Sequence, residues 1–128
     1  MIAPKIIIER DPLLICLQEI ESITLALYEI PLDKITQHSV RVYEEQVRAI
    51  NYELFNIIKV KRDKGIREAK KYTEDAITHL YVALQLFDDK QEKNTAQRLK
   101  TRFEELIHCR NNLQKAIEYI EPMVKLGE

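Results

Sequence analysis

Apolar residues recur three and four positions apart through the long stretches of this chain, and few residues interrupt that pattern. The 128 residues include two glycines and four prolines, too few for the many turns of an all-β fold. Residues at this spacing share one face of a helix, as Leu13, Cys16, Leu17 and Ile20 do in the first stretch. We therefore predict an all-α protein.

Start and stop signals divide the chain into predicted helices over residues 12–30, 38–62, 66–87 and 95–123. Asp11 is the expected cap of the first helix, and Pro12 suits its first position. Lys64-Gly65 is expected to form the turn between the second and third helices, with Gly65 in the left-handed conformation that closes a helix. Asn94 is the expected cap of the fourth helix.

Length and composition favour one domain. With 45% hydrophobic and 32% charged residues, the chain is too apolar for disorder and too charged for a membrane protein. Helices of similar length with short connections pack up-down-up-down. We predict an antiparallel four-helix bundle over residues 11–128, an extended tail over residues 1–10, and no membrane span.

The two cysteines lie far apart, and both belong to apolar stripes. Cys16 is in the predicted first helix and Cys109 is in the fourth. Buried, unreactive thiols are the expected state, because a disulfide framework needs more cysteines at closer spacing. The presence of two free cysteines without a disulfide framework favours a reducing, cytoplasmic setting.

Signatures of catalysis are scarce in the sequence. Two separated glycines cannot build a phosphate-binding loop, and neither a serine elbow nor a paired CxxC motif occurs. Glu105 and His108 show one Glu-x-x-His spacing, and Asp75 and His79 stand four apart. Di-iron bundles carry two Glu-x-x-His pairs and further glutamates. We therefore expect neither a metal nor a cofactor, and no catalytic residue.

One enzymatic alternative stays open. Arg102 and His108 are separated by five residues, which loosely resembles the Arg-x(4–6)-His element of HEPN ribonucleases, themselves helical bundles. Phe103 follows the arginine where those enzymes usually have a polar residue, and the core stripe of the fourth helix needs this phenylalanine. A HEPN-like ribonuclease is therefore one alternative function, and a generic oligomeric protein-interaction bundle is another.

Basic residues gather in two stretches although the net charge is only −1. The interpretation without a binding function is a solvated helix end, where lysines complement the helix dipole. The functional interpretation is a surface that binds phosphates without sequence specificity and with strong salt dependence. The candidate residues for binding nucleic acid or a partner are Lys59, Lys61, Arg62, Lys64, Arg67, Lys70, Lys71, Lys90, Lys93, Arg98, Lys100 and Arg102.

Several segments also resemble a bacterial family of four-helix bundles. In the first segment, residues 26–34, an apolar helix end is followed by a proline and a basic residue. The others are the basic end of the second helix (61–64), the two ends of the third helix (66–72 and 84–88) and most of the fourth helix (103–119). Over about Ile23–Met123 the chain resembles the family of 23S rRNA intervening-sequence proteins. Within that family it is most similar to the accessory variability determinant (Avd) of diversity-generating retroelements.

This resemblance implies a ring-like homopentamer of bundles. It also implies a non-catalytic accessory protein that binds a reverse transcriptase and its RNA and supports mutagenic cDNA synthesis. The expected partners are thus other copies of the chain, a reverse transcriptase and RNA.

Overall fold

The structure, a computed structural model, describes residues 11–87 and 95–126, and all regular structure in these residues is helical. The elements are α1 (Pro12–Glu29), a short 3-10 helix (Leu32–Lys34), α2 (Gln37–Val60), α3 (Lys64–Gln85) and α4 (Thr95–Leu126). The prediction of an all-α chain with four long helices is confirmed for this part of the chain. The expected tail, the loop at 88–93 and the expected cap Asn94 lie outside the described residues.

Each helix packs against two others, so that the four surround one core. The contacting pairs are α3 with α4, α2 with α3, α1 with α4 and α1 with α2. In α3 and α4, Tyr72 stacks on Tyr119 near one end and Arg98 donates to the Gln85 carbonyl near the other, so these helices run antiparallel. Short connections make α1 and α2, and α2 and α3, antiparallel as well. None of these helices has the length and hydropathy needed to cross a membrane.

The ends of α1 follow the predicted signals. The Asp11 carboxylate accepts a hydrogen bond from the Leu13 N–H at 3.0 Å, and Pro12 occupies the first helical turn. Ile30 is extended, because the residue before a proline is disfavoured in the helical region. Apolar spacing with Ile23 and Leu27 predicts Ile30 in the buried stripe of α1, but Ile30 is 37% exposed because the chain leaves the helix there.

The turn between α2 and α3 differs from the prediction. α2 ends at Val60 and α3 begins at Lys64, so Gly65 lies in the first turn of α3 and does not close α2. Asp63 caps α3, because its Oδ1 accepts hydrogen bonds from the Gly65 N–H at 2.7 Å and the Ile66 N–H at 3.2 Å. The predicted left-handed Gly65 is therefore wrong: an aspartate cap starts the next helix before the glycine.

The core consists mostly of the predicted stripes. Three fully buried residues lie outside those stripes: Val40 on α2, Thr73 on α3 and Ala116 on α4. Thr73 can be buried because its hydroxyl donates to the Lys70 carbonyl at 2.6 Å. Conversely, apolar spacing with Phe103 and Leu106 predicts Leu99 in the buried stripe of α4, but Leu99 is 37% exposed.

Both cysteines are buried free thiols, as predicted. Burial, together with the nearby carboxylates of Glu19, Glu53 and Asp11, raises the pKa of Cys16 to about 12. Burial alone raises the pKa of Cys109 well above its ordinary value. Because the thiolate is the reactive form, both side chains should be inert in the folded protein.

We therefore predict that a disulfide reagent such as DTNB labels neither thiol of the native protein at neutral pH. Unfolding in urea should expose both cysteines, so two equivalents of thionitrobenzoate should then appear. Rapid labelling before unfolding would contradict the burial of these residues.

The Asp63 cap gives a second prediction. Asp63→Ala should lower the free energy of unfolding by about 1 kcal/mol, because two N–H groups of α3 lose their acceptor, whereas Asp63→Asn keeps an acceptor oxygen and should cost about a few tenths. Urea denaturation followed by circular dichroism measures both values. Asp33→Ala is the control, since Asp33 is exposed in the 3-10 helix, and an equal loss there would contradict the cap.

Candidate nucleic-acid interface

The two basic stretches lie at opposite ends of the bundle. One surrounds the α2–α3 turn, and the other is the start of α4, next to the end of α3. α3 has 22 residues, which corresponds to about 33 Å at the rise of an α-helix. The two stretches are therefore separate surfaces. Lys90 and Lys93, two of the predicted site residues, lie outside the described residues.

Seven predicted residues form what we name the turn cluster: Lys59, Lys61, Arg62, Lys64, Arg67, Lys70 and Lys71. Six of them are exposed, and Lys70 is partly buried and paired with Glu74. Within residues 11–87 and 95–126, no carboxylate forms a salt bridge with the other six. Asp63 lies inside the cluster, but its carboxylate is engaged in capping α3. The cluster is thus a local excess of positive charge.

The basic residues at the start of α4 are more involved in packing. The Arg102 guanidinium lies 4.0 Å from the centroid of the Phe87 ring. Arg98 is partly buried and donates to a backbone carbonyl of α3 at 3.2 Å, whereas Lys100 is exposed. Two of these three side chains therefore hold the start of α4 against α3, which makes this end the weaker candidate for binding.

The sequence analysis missed two aromatic residues that lie on the same helix face as Lys59 of the turn cluster. Phe55 is 43% exposed, and its ring centroid lies 4.3 Å from the Lys59 ammonium and 5.9 Å from that of Lys70. Tyr52, one turn earlier on α2, is 63% exposed. The available signal was the spacing of residues 52, 55 and 59, which places them on one helix face. These aromatic residues add flat apolar surface to the positive charge.

A polar contact between helices positions this site. The Asn51 amide donates to the Lys70 carbonyl at 3.1 Å and to the Thr73 hydroxyl at 2.9 Å. Asn51 lies one turn before Phe55, so the contact sets the register that brings the Phe55 ring beside Lys70. A shallow groove between α2 and α3 results, lined by Phe55, Ile58, Arg67, Glu68, Lys70, Lys71 and Glu74.

The histidines considered in the sequence form a separate cluster between α3 and α4. His79 Nδ1 lies 2.5 Å from Glu105 Oε2, and the His79 and His108 ring centroids are 5.2 Å apart. His108 thus contacts His79, while the Arg102 guanidinium lies over Phe87. Among the described residues, no group of three or more His, Cys, Asp and Glu could hold a metal ion. The ribonuclease hypothesis stays a prediction.

Comparison of the chain with protein-family models, with curated proteins and with solved structures finds no match. The resemblance to the intervening-sequence and Avd family therefore stays a prediction as well.

Proposed function

We propose that this protein is a cytoplasmic, non-catalytic accessory protein of a diversity-generating retroelement, which binds RNA and a reverse transcriptase to support mutagenic cDNA synthesis. The observation that carries the proposal is the turn cluster. Six exposed cations without a carboxylate partner among the described residues form a surface that attracts phosphates, because each phosphate contact releases a counterion. Such binding contacts the sugar-phosphate backbone of the nucleic acid and needs no catalytic group.

The partner proteins are proposed from the resemblance, and two surface features support them. α1 carries Glu19, Glu21 and Glu29 on its exposed faces and contains neither lysine nor arginine. This acidic helix suits a basic protein partner such as a nucleic-acid enzyme. Leu25 and Ile15 on the same helix are 55% and 36% exposed, and apolar side chains of this kind supply contact surface between copies in a ring-like pentamer.

If the turn cluster binds phosphates, reversing its charge should weaken the binding of RNA. Changing Lys61, Arg62 and Lys71 to glutamate should weaken binding of a labelled single-stranded RNA by at least about tenfold, since phosphate contacts dominate such affinities. The plot of log affinity against log salt should become shallower by roughly 2, because each lost contact removes about 0.7. Fluorescence anisotropy at several salt concentrations measures both quantities.

A second triple variant controls for total charge. Lys34, Arg41 and Lys115 are also exposed but lie outside the turn cluster, so their replacement by glutamate changes the net charge equally and should leave most of the affinity. Equal losses in the two variants, with helicity kept in both, would contradict a localised site. Cleavage of the RNA that disappears in His108→Ala and persists in His38→Ala would favour the ribonuclease instead. Absence of RNA binding by the native protein would favour a generic interaction bundle.

A further inference from the structure

We infer that Phe55 and the turn cluster form a binding site for single-stranded nucleic acid, in which the Phe55 ring stacks on a base and the surrounding cations contact the flanking phosphates. This inference rests on the proposed function, because it names the class of nucleic acid bound at the same site.

The first argument is the combination of an exposed ring with cations at close range. Phe55 is 43% exposed, and the ammonium groups of Lys59 and Lys70 lie 4.3 and 5.9 Å from its ring centroid. The Lys59 ammonium lies over the ring face, so a base that stacks there takes its place and leaves this cation beside the flanking phosphates. Tyr52 lies on the same face of α2 and offers a second ring one turn away. Flat rings along a cationic groove are the arrangement that binds single strands.

The second argument is that a duplex cannot use this ring. In a double helix the faces of the bases are stacked inside, so only phosphates, sugars and base edges reach a protein surface. Every unpaired base, in contrast, presents a π-face that stacks on an aromatic side chain. The energetic contribution of Phe55 should therefore exist for single strands alone, whereas the charge contribution serves both forms.

The third argument concerns the charge of the groove. Arg67, Lys70 and Lys71 line it together with Glu68 and Glu74, and Glu74 is already paired with Lys70. The lining thus has three cations against two carboxylates, and Lys59 beside Phe55 adds a fourth cation. This net positive charge complements a polyanion better than the apolar segment of a protein partner. We therefore assign the groove to nucleic acid.

The opposite face of the bundle contains a matched control. Tyr28 on α1 is 54% exposed, and the Arg110 guanidinium lies 4.2 Å from its ring centroid. This ring and cation resemble the Phe55 and Lys59 pair. The groove beside Tyr28, however, is lined by the carboxylates of Glu21 and Glu121. Tyr28 thus has the stacking geometry without the positive surroundings.

The test compares Phe55→Leu, Phe55→Tyr and Tyr28→Leu in the full-length protein. The probes are a labelled oligouridine of about ten nucleotides, a length that single-stranded sites cover, and an RNA duplex of similar length. Phe55→Leu should weaken oligouridine binding by roughly tenfold, the scale of one lost base stack, and should leave duplex binding unchanged. Phe55→Tyr keeps the ring and should bind as the native protein does, and Tyr28→Leu should have no effect.

The outcomes separate this inference from the proposed function. If the native protein binds oligouridine and Phe55→Leu binds it equally well, the stacking site is wrong while RNA binding stands. An equal loss in Phe55→Leu and Phe55→Tyr, or tighter binding of the duplex than of the single strand, would also overturn it. Unchanged RNA binding with an altered solution mass of Phe55→Leu would assign the ring to contacts between copies. If neither probe binds the native protein, the proposed function itself fails.

Discussion

Asn51 donates hydrogen bonds across the α2–α3 interface to the Lys70 carbonyl and to the Thr73 hydroxyl. Polar groups in a packed interface are costly unless they are paired. Sliding α2 along α3 by a turn would bring Ala69 or Ile77 to the place of Thr73, so the Asn51 amide would lose its side-chain acceptor. The contact therefore selects one register. In that register Phe55 lies beside Lys70, and the candidate interface follows from it.

The same packing gives the bundle two chemically different faces. The α2–α3 face combines Phe55 with the turn cluster, whereas the α1–α4 face combines Tyr28 with the carboxylates of Glu21 and Glu121. A net charge of −1 conceals this division, because the opposite charges cancel in the sum. A protein divided in this way can hold a polyanion on one face and a basic protein on the other. That division is the physical basis of the accessory role that we propose between RNA and an enzyme.

The helices could be predicted from the sequence because apolar spacing and the Asp11 cap act locally. The α2–α3 turn could not, since Asp63 and Gly65 carry competing signals, one for a helix start and one for a helix end. The cap decides between them: a Cβ on Gly65 would lie 3.0 Å from Asp63 Oδ1, the oxygen that accepts the Gly65 N–H, so glycine leaves room for the aspartate to start α3. The exposed ring of Phe55 was missed because its surroundings depend on α3, which is distant in sequence. The basic residues of the candidate site could be identified in the sequence, but only the fold shows that the two basic stretches lie at opposite ends of the bundle.

The most direct test of an oligomeric, RNA-binding accessory protein is the solution mass of the purified chain, measured by light scattering on a sizing column with ultraviolet absorbance recorded across the peak. The resemblance to the Avd family predicts a mass about five times the 15.2 kDa of one chain, and the turn cluster predicts nucleic-acid absorbance in the same peak. A monomer or dimer that elutes without nucleic acid would contradict both the ring and its proposed RNA.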